Sequence, residues 1–242
     1  MTSEVIPNVF VGTMYCGEGG FKECCSAILT QKGVTVHHHV IANQPEKEAH
    51  NKLWAAWRAA QGDFDFFVKV DADTVLAHDS VLIEFWNMMK ANPRITGIQA
   101  PLIDYFTQIH INGLNCFSPK VTFQDTTNEL FCDRQVDVDH DIVIKSKDVT
   151  SKLRPAGYHA FNPTDIQSFH FGLHRSLKKQ DDIIKLVKEA YHRNKDRPRA
   201  FVLLGAQCAS TFSNGNFNYE NDRFKVAFEG IASKYDELVK NL

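Results

Sequence analysis

The first 93 residues alternate three times between a short apolar segment and a longer amphipathic one. Apolar segments rich in β-branched and aromatic residues predict strands over residues 6–11, 34–42 and 66–70. Apolar residues at helical spacing predict helices over 21–31 and 45–61, and from Asp79 or Ser80 to Pro93. This alternation is typical of a parallel sheet with helices on both faces, in which ligands bind at the carboxyl ends of the strands.

The pattern changes after Gly97. Strand-like segments without long helices between them lie at residues 97–102, 107–114, 121–123 and 136–145, which predicts a mixed or antiparallel part of the sheet. Helical spacing then predicts helices from Pro163 and over 181–192, 199–211 and 219–238. The predicted fold is therefore α/β, with a mixed, mostly parallel sheet flanked by helices. We expect a main domain over residues 1–180 and a C-terminal helical extension over 181–242 packed on it.

Composition excludes several classes of protein. The 242 residues include 27 Lys+Arg and 29 Asp+Glu, and a net charge of −2 argues against nucleic acid or an anionic membrane as the main partner. No apolar run approaches the roughly 18 residues of a membrane span, and no signal peptide is evident. We expect a cytoplasmic protein without a transmembrane segment, and peripheral membrane association stays open. Six cysteines without C-x-x-C or zinc-ribbon spacing predict free thiols.

Two aspartates follow the third predicted strand directly. Asp71 and Asp73 are two residues apart, so both carboxylates can face one ligand. Such a pair needs a positively charged partner. Carboxylate oxygens suit Mg²⁺ or Mn²⁺, which could carry a phosphorylated ligand. A solvated turn with Asp73 as a cap is the structural alternative, but the buried strand before the pair favours a metal site.

A second candidate segment spans residues 168–178. In a helix, His170, His174 and Lys178 share one face. A neutral imidazole could complete a metal shell, and Arg175 and Lys178 could contact diphosphate oxygens. The spacing of the two histidines also occurs in zinc proteases, but Phe171 stands where the catalytic glutamate is required. The alternative is a basic amphipathic helix with surface histidines.

Weaker signals indicate contacts to a nucleotide. The glycine-containing loop from residue 12 to 20 could approach a nucleoside closely, although it matches neither a P-loop nor a dinucleotide fingerprint. Helix capping and plain exposure are equally good explanations for the polar residues near the second strand. The candidate nucleotide-binding residues in the first 70 positions are Gly12, Thr13, Asn43, His50 and Lys69.

Carboxylates in the middle of the chain are candidates for a general base that deprotonates an acceptor hydroxyl. Asp137, Asp139 and Asp141 alternate along a predicted strand, so they share one face, for which a solvated polar face is the simpler explanation. Asp104, near the end of the strand predicted over 97–102, is a rival of similar weight.

Taken together, these segments resemble the GT-A fold glycosyltransferases, most closely the family-two-like group. The residues that carry the resemblance, which covers about residues 5–180, are the first-strand loop, Asn43-Gln44-Pro45-Glu46, Val68-Lys69-Val70-Asp71-Ala72-Asp73, and His170-Phe171-Gly172 with Arg175 and Lys178. The resemblance implies a nucleotide-sugar donor, a divalent metal, and glycosyl transfer to a hydroxyl of a glycan or glycolipid. It also implies a histidine at position 170, or 174, as the third metal ligand, with phosphate-binding groups at 175 and 178. Residues 1–180 are then the nucleotide-sugar-binding and catalytic domain.

Two other functions stay open at this point. A sugar nucleotidyltransferase uses a similar sheet and metal, but its first loop is normally rich in glycine and arginine with a lysine, and here that loop offers only Lys22. A non-catalytic carbohydrate- or nucleotide-binding module is the third reading. Four aromatic residues expected to be exposed could stack on sugars in either case: Tyr105, Phe106, Tyr158 and Phe161.

Overall fold

The computed structural model describes residues 5–132, 136–137, 142–145, 154–212 and 217–242. The chain forms two compact units. The first unit comprises the described residues of segments 1–105, 109–126 and 133–161, and the second unit comprises those of 106–108, 127–132 and 162–242. The predicted division at residue 180 stays a prediction.

The first unit is built on a mixed sheet. Its strands are β1 (Asn8–Tyr15), β2 (Thr35–Ala42), β3 (Phe66–Lys69), β4 (Val75–Leu76), β5 (Ile95–Asp104), β6 (His110–Phe117), β9 (Ile142–Lys145) and β10 (Gly157–His159). Their order is β2-β1-β3-β6-β5-β10-β4, with β9 also paired to β5. A separate pair consists of β7 (Thr122–Phe123) and β8 (Val136–Asp137). Strand β1 runs parallel to β2 and β3, whereas β6 is antiparallel to both of its neighbours.

Helices cover both faces of this sheet because its central strands are apolar on both sides. Helices α1 (Phe21–Leu29) and α3 (Val81–Ala91) pack on the face that carries Val9, Val11, Phe66 and Val68. Helix α2 (Glu46–Ala60) packs Leu53, Trp54 and Trp57 on the other face, against Phe10 and Phe67. The alternation of neighbouring residues between the two clusters follows from the two-residue period of a strand. The structure confirms the predicted α/β fold with a mixed sheet flanked by helices.

The second unit is helical in its described part. It contains α4 (Asp165–Leu177), α5 (Asp181–Asn194), α6 (Arg197–Cys208), α7 (Asp222–Ser233) and α8 (Tyr235–Leu238). Its core consists mostly of phenylalanine side chains, including Phe169, Phe201 and Phe224. Helices α4 and α6 pack closely because Gly172 and Gly205 have no side chains at their contact. A Cβ atom at Gly172 would collide with the Val202 carbonyl group, and one at Gly205 would collide with that of Phe169.

Two predictions on composition can be compared with the structure. All six cysteines are free, three of them buried and three partly exposed. Within the ranges that the structure describes, no helix combines the length and the apolar character needed to cross a membrane.

Candidate functional site

The Asp71–Asp73 segment forms a turn at the carboxyl end of β3. Strand β3 ends at Lys69, and the Val70 amide donates to the Gly12 carbonyl at 3.0 Å, which holds the chain against β1. The Thr74 amide then donates to the Asp71 carbonyl at 2.8 Å and closes the turn. The two aspartates therefore lie where a central strand ends, as the sequence predicts. The Asp71 side chain is 43% exposed and that of Asp73 only 14%.

The two carboxylates have different partners. The Lys69 ammonium lies 2.5 Å from the Asp71 carboxylate. Burial raises the pKa of Asp71, but Lys69 outweighs it with smaller help from His159 and His50, so the pKa lies below its usual value. Lys69, predicted as a donor contact, is thus an ion-pair partner of Asp71 in this structure.

Asp73 lies beside a histidine that the sequence analysis did not identify. The His159 Nδ1 atom is 2.6 Å from the Asp104 carboxylate, and its Nε2 atom is 3.8 Å from that of Asp73. Burial lowers the pKa of His159, but Asp73, Asp104 and Asp71 outweigh it and raise the pKa to about 9. The reason for the pairing is register: in the parallel pair β5–β10, His159 is the residue opposite Asp104.

A fourth carboxylate belongs to the same group. Glu18, in the loop after β1, accepts a hydrogen bond from the Cys16 amide at 2.7 Å. Burial raises the pKa of Glu18 to about 7, and the charges of Asp73 and Asp71 add to the effect. We call Glu18, Asp71, Asp73 and Asp104, with Lys69 and His159, the carboxylate cluster. Its acidic side chains outnumber its basic ones, so a divalent cation fits the local charge.

Gly12 and Thr13 belong to β1 rather than to a loop, because the strand continues to Tyr15 instead of ending at Val11. Gly12 leaves room for the Leu53 side chain, and the Thr13 hydroxyl is 2.9 Å from the His38 Nε2 atom. Both residues are buried and both have a packing role. A role in nucleotide binding stays a prediction for them.

Asn43 is exposed, whereas His50 is buried. Asn43 is exposed at the end of β2, in a left-handed conformation with φ of 54°. It does not cap the next helix, because Pro45 is the N-cap residue of α2. His50 is buried rather than exposed, and its Nδ1 atom is 2.8 Å from the Glu46 carbonyl oxygen.

The histidines of α4 lie among aromatic rings of the second unit. The two imidazole rings are 5.5 Å apart, as expected for residues on one helix face. His170 stacks on Tyr219 at 4.5 Å and His174 on Phe217 at 5.1 Å, and both side chains are partly exposed. Burial, assisted by Lys178 and Arg175, lowers the pKa of His170 to about 4, and the pKa of His174 is lowered as well.

The two basic residues of this segment also pack on aromatic rings. The Arg175 guanidinium lies 4.8 Å from the centre of the Phe171 ring, and its Nη1 atom donates to the Gln180 side chain at 2.9 Å. The Lys178 ammonium lies 5.1 Å from the centre of the Phe131 ring. His170, His174 and these two cations belong to the second unit and the aspartates to the first. A shared metal and diphosphate site stays a prediction.

The structure describes only two of the four candidate bases. Asp104 is the last residue of β5, and its side chain is only 2% exposed. Asp137 lies in β8, where its main chain pairs with Thr122. Asp139 and Asp141 lie outside the described residues.

The four aromatic candidates for sugar stacking also differ. Tyr158 is 44% exposed and Phe161 is 37% exposed, while Tyr105 is partly exposed. The prediction was wrong for Phe106, which is buried and packs on the Phe171 ring at 4.5 Å.

Solved structures that are similar to this chain include two glycosyltransferases. One is the mannosyltransferase PcManGT from Pyrobaculum calidifontis in complex with GDP-Man and Mn²⁺, at 14% sequence identity and a TM-score of 0.39, with 98% of this chain and 83% of that chain covered. The other is a glycosyltransferase involved in the glycosylation of the major capsid of PBCV-1, at 13% identity and a TM-score of 0.33, with 46% and 60% covered. No protein-family model and no curated protein matches the sequence.

Proposed function

We propose that this chain is a metal-dependent glycosyltransferase that transfers a sugar from a nucleotide-sugar donor to a hydroxyl group of a glycan or glycolipid. The observation that supports this function is the carboxylate cluster at the carboxyl end of β3. Ligands of α/β sheets bind at such strand ends, and partly buried carboxylates in excess of their basic partners favour a bound cation. A metal carrying a diphosphate satisfies both conditions.

Asp73 is the principal metal ligand in this proposal. Asp71 is already neutralised by Lys69 at 2.5 Å, so it contributes less negative charge to an incoming ion. Mn²⁺ or Mg²⁺ bound by these oxygens would stabilise the negative charge that develops on the diphosphate as the sugar–phosphate bond breaks.

The roles of the α4 residues follow from the resemblance. Arg175 and Lys178 neutralise diphosphate oxygens, and His170 or His174 completes the metal shell. The low pKa of His170 supports such a role, because a metal ligand has to be a neutral imidazole.

The general base is proposed among Asp137, Asp139 and Asp104. Burial of the Asp104 carboxylate and its hydrogen bond to His159 disfavour direct proton transfer from an acceptor hydroxyl to this residue. We therefore assign the base to Asp137 or Asp139. Asp104 has a different role, which is to orient His159.

The test is donor turnover by wild type and by Asp73→Asn. UDP-glucose, UDP-N-acetylglucosamine and GDP-mannose are supplied with Mn²⁺, and the release of nucleoside diphosphate is measured. We expect Mn²⁺-dependent release from one donor, and a loss of about 100-fold or more in Asp73→Asn, because a metal ion supplies several kcal/mol of charge stabilisation. Asp63→Asn, at an exposed position, is the matched control and should keep wild-type turnover.

Full turnover by Asp73→Asn with Mn²⁺ present would contradict the proposal. Release of pyrophosphate from a nucleoside triphosphate and a sugar phosphate would identify a nucleotidyltransferase instead. Donor binding without release of either product would indicate a binding module.

A further inference from the structure

His159 is placed against the metal-binding turn by a short strand. The three residues of β10 pair with β5, which brings His159 opposite Asp104 although 55 positions separate the two in the sequence. The Nδ1 atom lies 2.6 Å from Asp104, and the Nε2 atom lies 3.8 Å from an oxygen of Asp73. The imidazole therefore bridges a buried carboxylate and the proposed principal metal ligand.

The backbone around His159 is constrained at several points. Gly157 is required because a Cβ atom there would lie 2.7 Å from the Val75 carbonyl oxygen. Ala160 is buried and adopts a left-handed φ of 53°, and Asn162 adopts a φ of 50°. Between them, the Phe161 amide donates to the Asp73 carbonyl at 2.8 Å. Non-glycine residues in this conformation cluster at functional sites, and here they hold His159 and Asp73 together.

We infer that His159 is a ligand of the divalent cation through Nε2, from which the ion displaces the proton to solvent, and that Asp104 is the residue that orients it. In metal sites a ligating histidine usually donates its other ring N–H to a carboxylate, which is the arrangement of His159 with Asp104. Neighbouring ligand atoms of an octahedral Mg²⁺ or Mn²⁺ site are about 3 Å apart, so the 3.8 Å between Nε2 and Asp73 needs only a small adjustment.

This inference rests on the proposed metal site and names a ligand that the sequence analysis did not. It differs from the resemblance, which implies His170 or His174. The two assignments are distinguishable because each predicts which histidine supplies nitrogen to the metal.

The test uses Mn²⁺ as the probe and electron spin-echo spectroscopy to detect nitrogen coupled to the ion. Wild-type protein, unlabelled and labelled with ¹⁵N-histidine, is compared with His159→Gln and Asp104→Asn. His170→Gln tests the assignment that the resemblance implies, and His192→Gln, at an exposed position, is the matched control. We expect a histidine nitrogen signal in wild type, its loss in His159→Gln with at least about 10-fold weaker Mn²⁺ binding, and its retention in His170→Gln. Asp104→Asn should keep the signal but bind Mn²⁺ about 10-fold to 100-fold more weakly.

Three outcomes would overturn the inference: no histidine nitrogen signal in wild type, retention of the signal in His159→Gln, or its loss in His170→Gln alone. The wild-type spectrum does not depend on any variant, so a variant that fails to fold leaves the inference testable. If Asp73→Asn also binds Mn²⁺ normally, the proposed metal site itself fails. If only Asp73→Asn loses Mn²⁺ and His159→Gln does not, the metal site stands and the role of His159 is refuted.

Discussion

His159 and His170 are the same side chain in opposite surroundings. His159, in the first unit, has the carboxylates of Asp104 and Asp73 on its two ring nitrogens, and its pKa is raised to about 9. His170, in the second unit, stacks on Tyr219, and burial with Lys178 and Arg175 nearby lowers its pKa to about 4. At neutral pH and without a bound metal, the first is an imidazolium and the second a neutral imidazole. Local charge, rather than the residue type, therefore determines which histidine carries a proton.

The largest expected effect is the difference between the titration midpoints of His159 and His170. In the metal-free protein, the midpoint of His159 should lie near pH 9 and that of His170 near pH 4. Two-dimensional NMR of the imidazole groups, with assignment by His159→Gln and His170→Gln, measures both. Two midpoints between pH 6 and 7 would remove the contrast.

The two shifts also act on stability in opposite pH ranges. The pKa of His159 is raised, so its contribution is complete below its unfolded pKa of about 6.5 and is lost as the pH rises through 9. The pKa of His170 is lowered, so its contribution is present above about 6.5 and is lost as the pH falls through 4. His159→Gln should reduce the pH dependence of the unfolding free energy only in the alkaline range, and His170→Gln only in the acidic range.

A smaller effect is expected from the close packing of α4 on α6 in the second unit. Gly172→Ala would drive a methyl group into the Val202 carbonyl, and overpacking of this kind costs about 1–3 kcal/mol. Urea unfolding followed by circular dichroism should show a correspondingly lower free energy of unfolding. Gly230→Ala is the matched control: this glycine of α7 has open space around it, so the variant should gain about 0.5–1 kcal/mol. Equal stability of the two variants would show that α4 and α6 separate easily.

The smallest effect concerns Glu18 in the carboxylate cluster. Burial is the main reason for its pKa of about 7, and Asp73 is a lesser one. Asp73→Asn should therefore lower the Glu18 midpoint by only a fraction of a pH unit, roughly the size of a screened charge interaction. Carbon-detected NMR of the glutamate carboxyl groups measures this change. A shift of several units would mean that charge rather than burial controls Glu18.

The sequence predicted the parts of the fold that depend on local patterns. Three strand–helix repeats and the position of Asp71 and Asp73 after a buried strand are all found. The antiparallel insertion of β6 between β3 and β5 was not predicted, because strand order depends on pairing between distant segments. The end of β1 was placed too early, since Gly12 and Thr13 have the composition of a loop but fill a packing role in the strand.

The candidate site was likewise predicted from the sequence only in part. The residue pattern alone identified the aspartate pair, because two acids after an apolar strand are unusual enough to be informative. The segment Gly157-Tyr158-His159 is too short to show a period, so neither β10 nor His159 could be recognised.

What the sequence determined by itself is an α/β chain with two adjacent carboxylates at a strand end, because strand and helix periods and the burial of apolar runs are local properties. The tertiary structure decided which basic groups stand next to those carboxylates. It joined Asp104 and His159 through the register of β5 and β10 and surrounded His170 with aromatic rings. Coulomb interactions and burial depend on distances between residues far apart in the chain, and only the folded structure sets those distances.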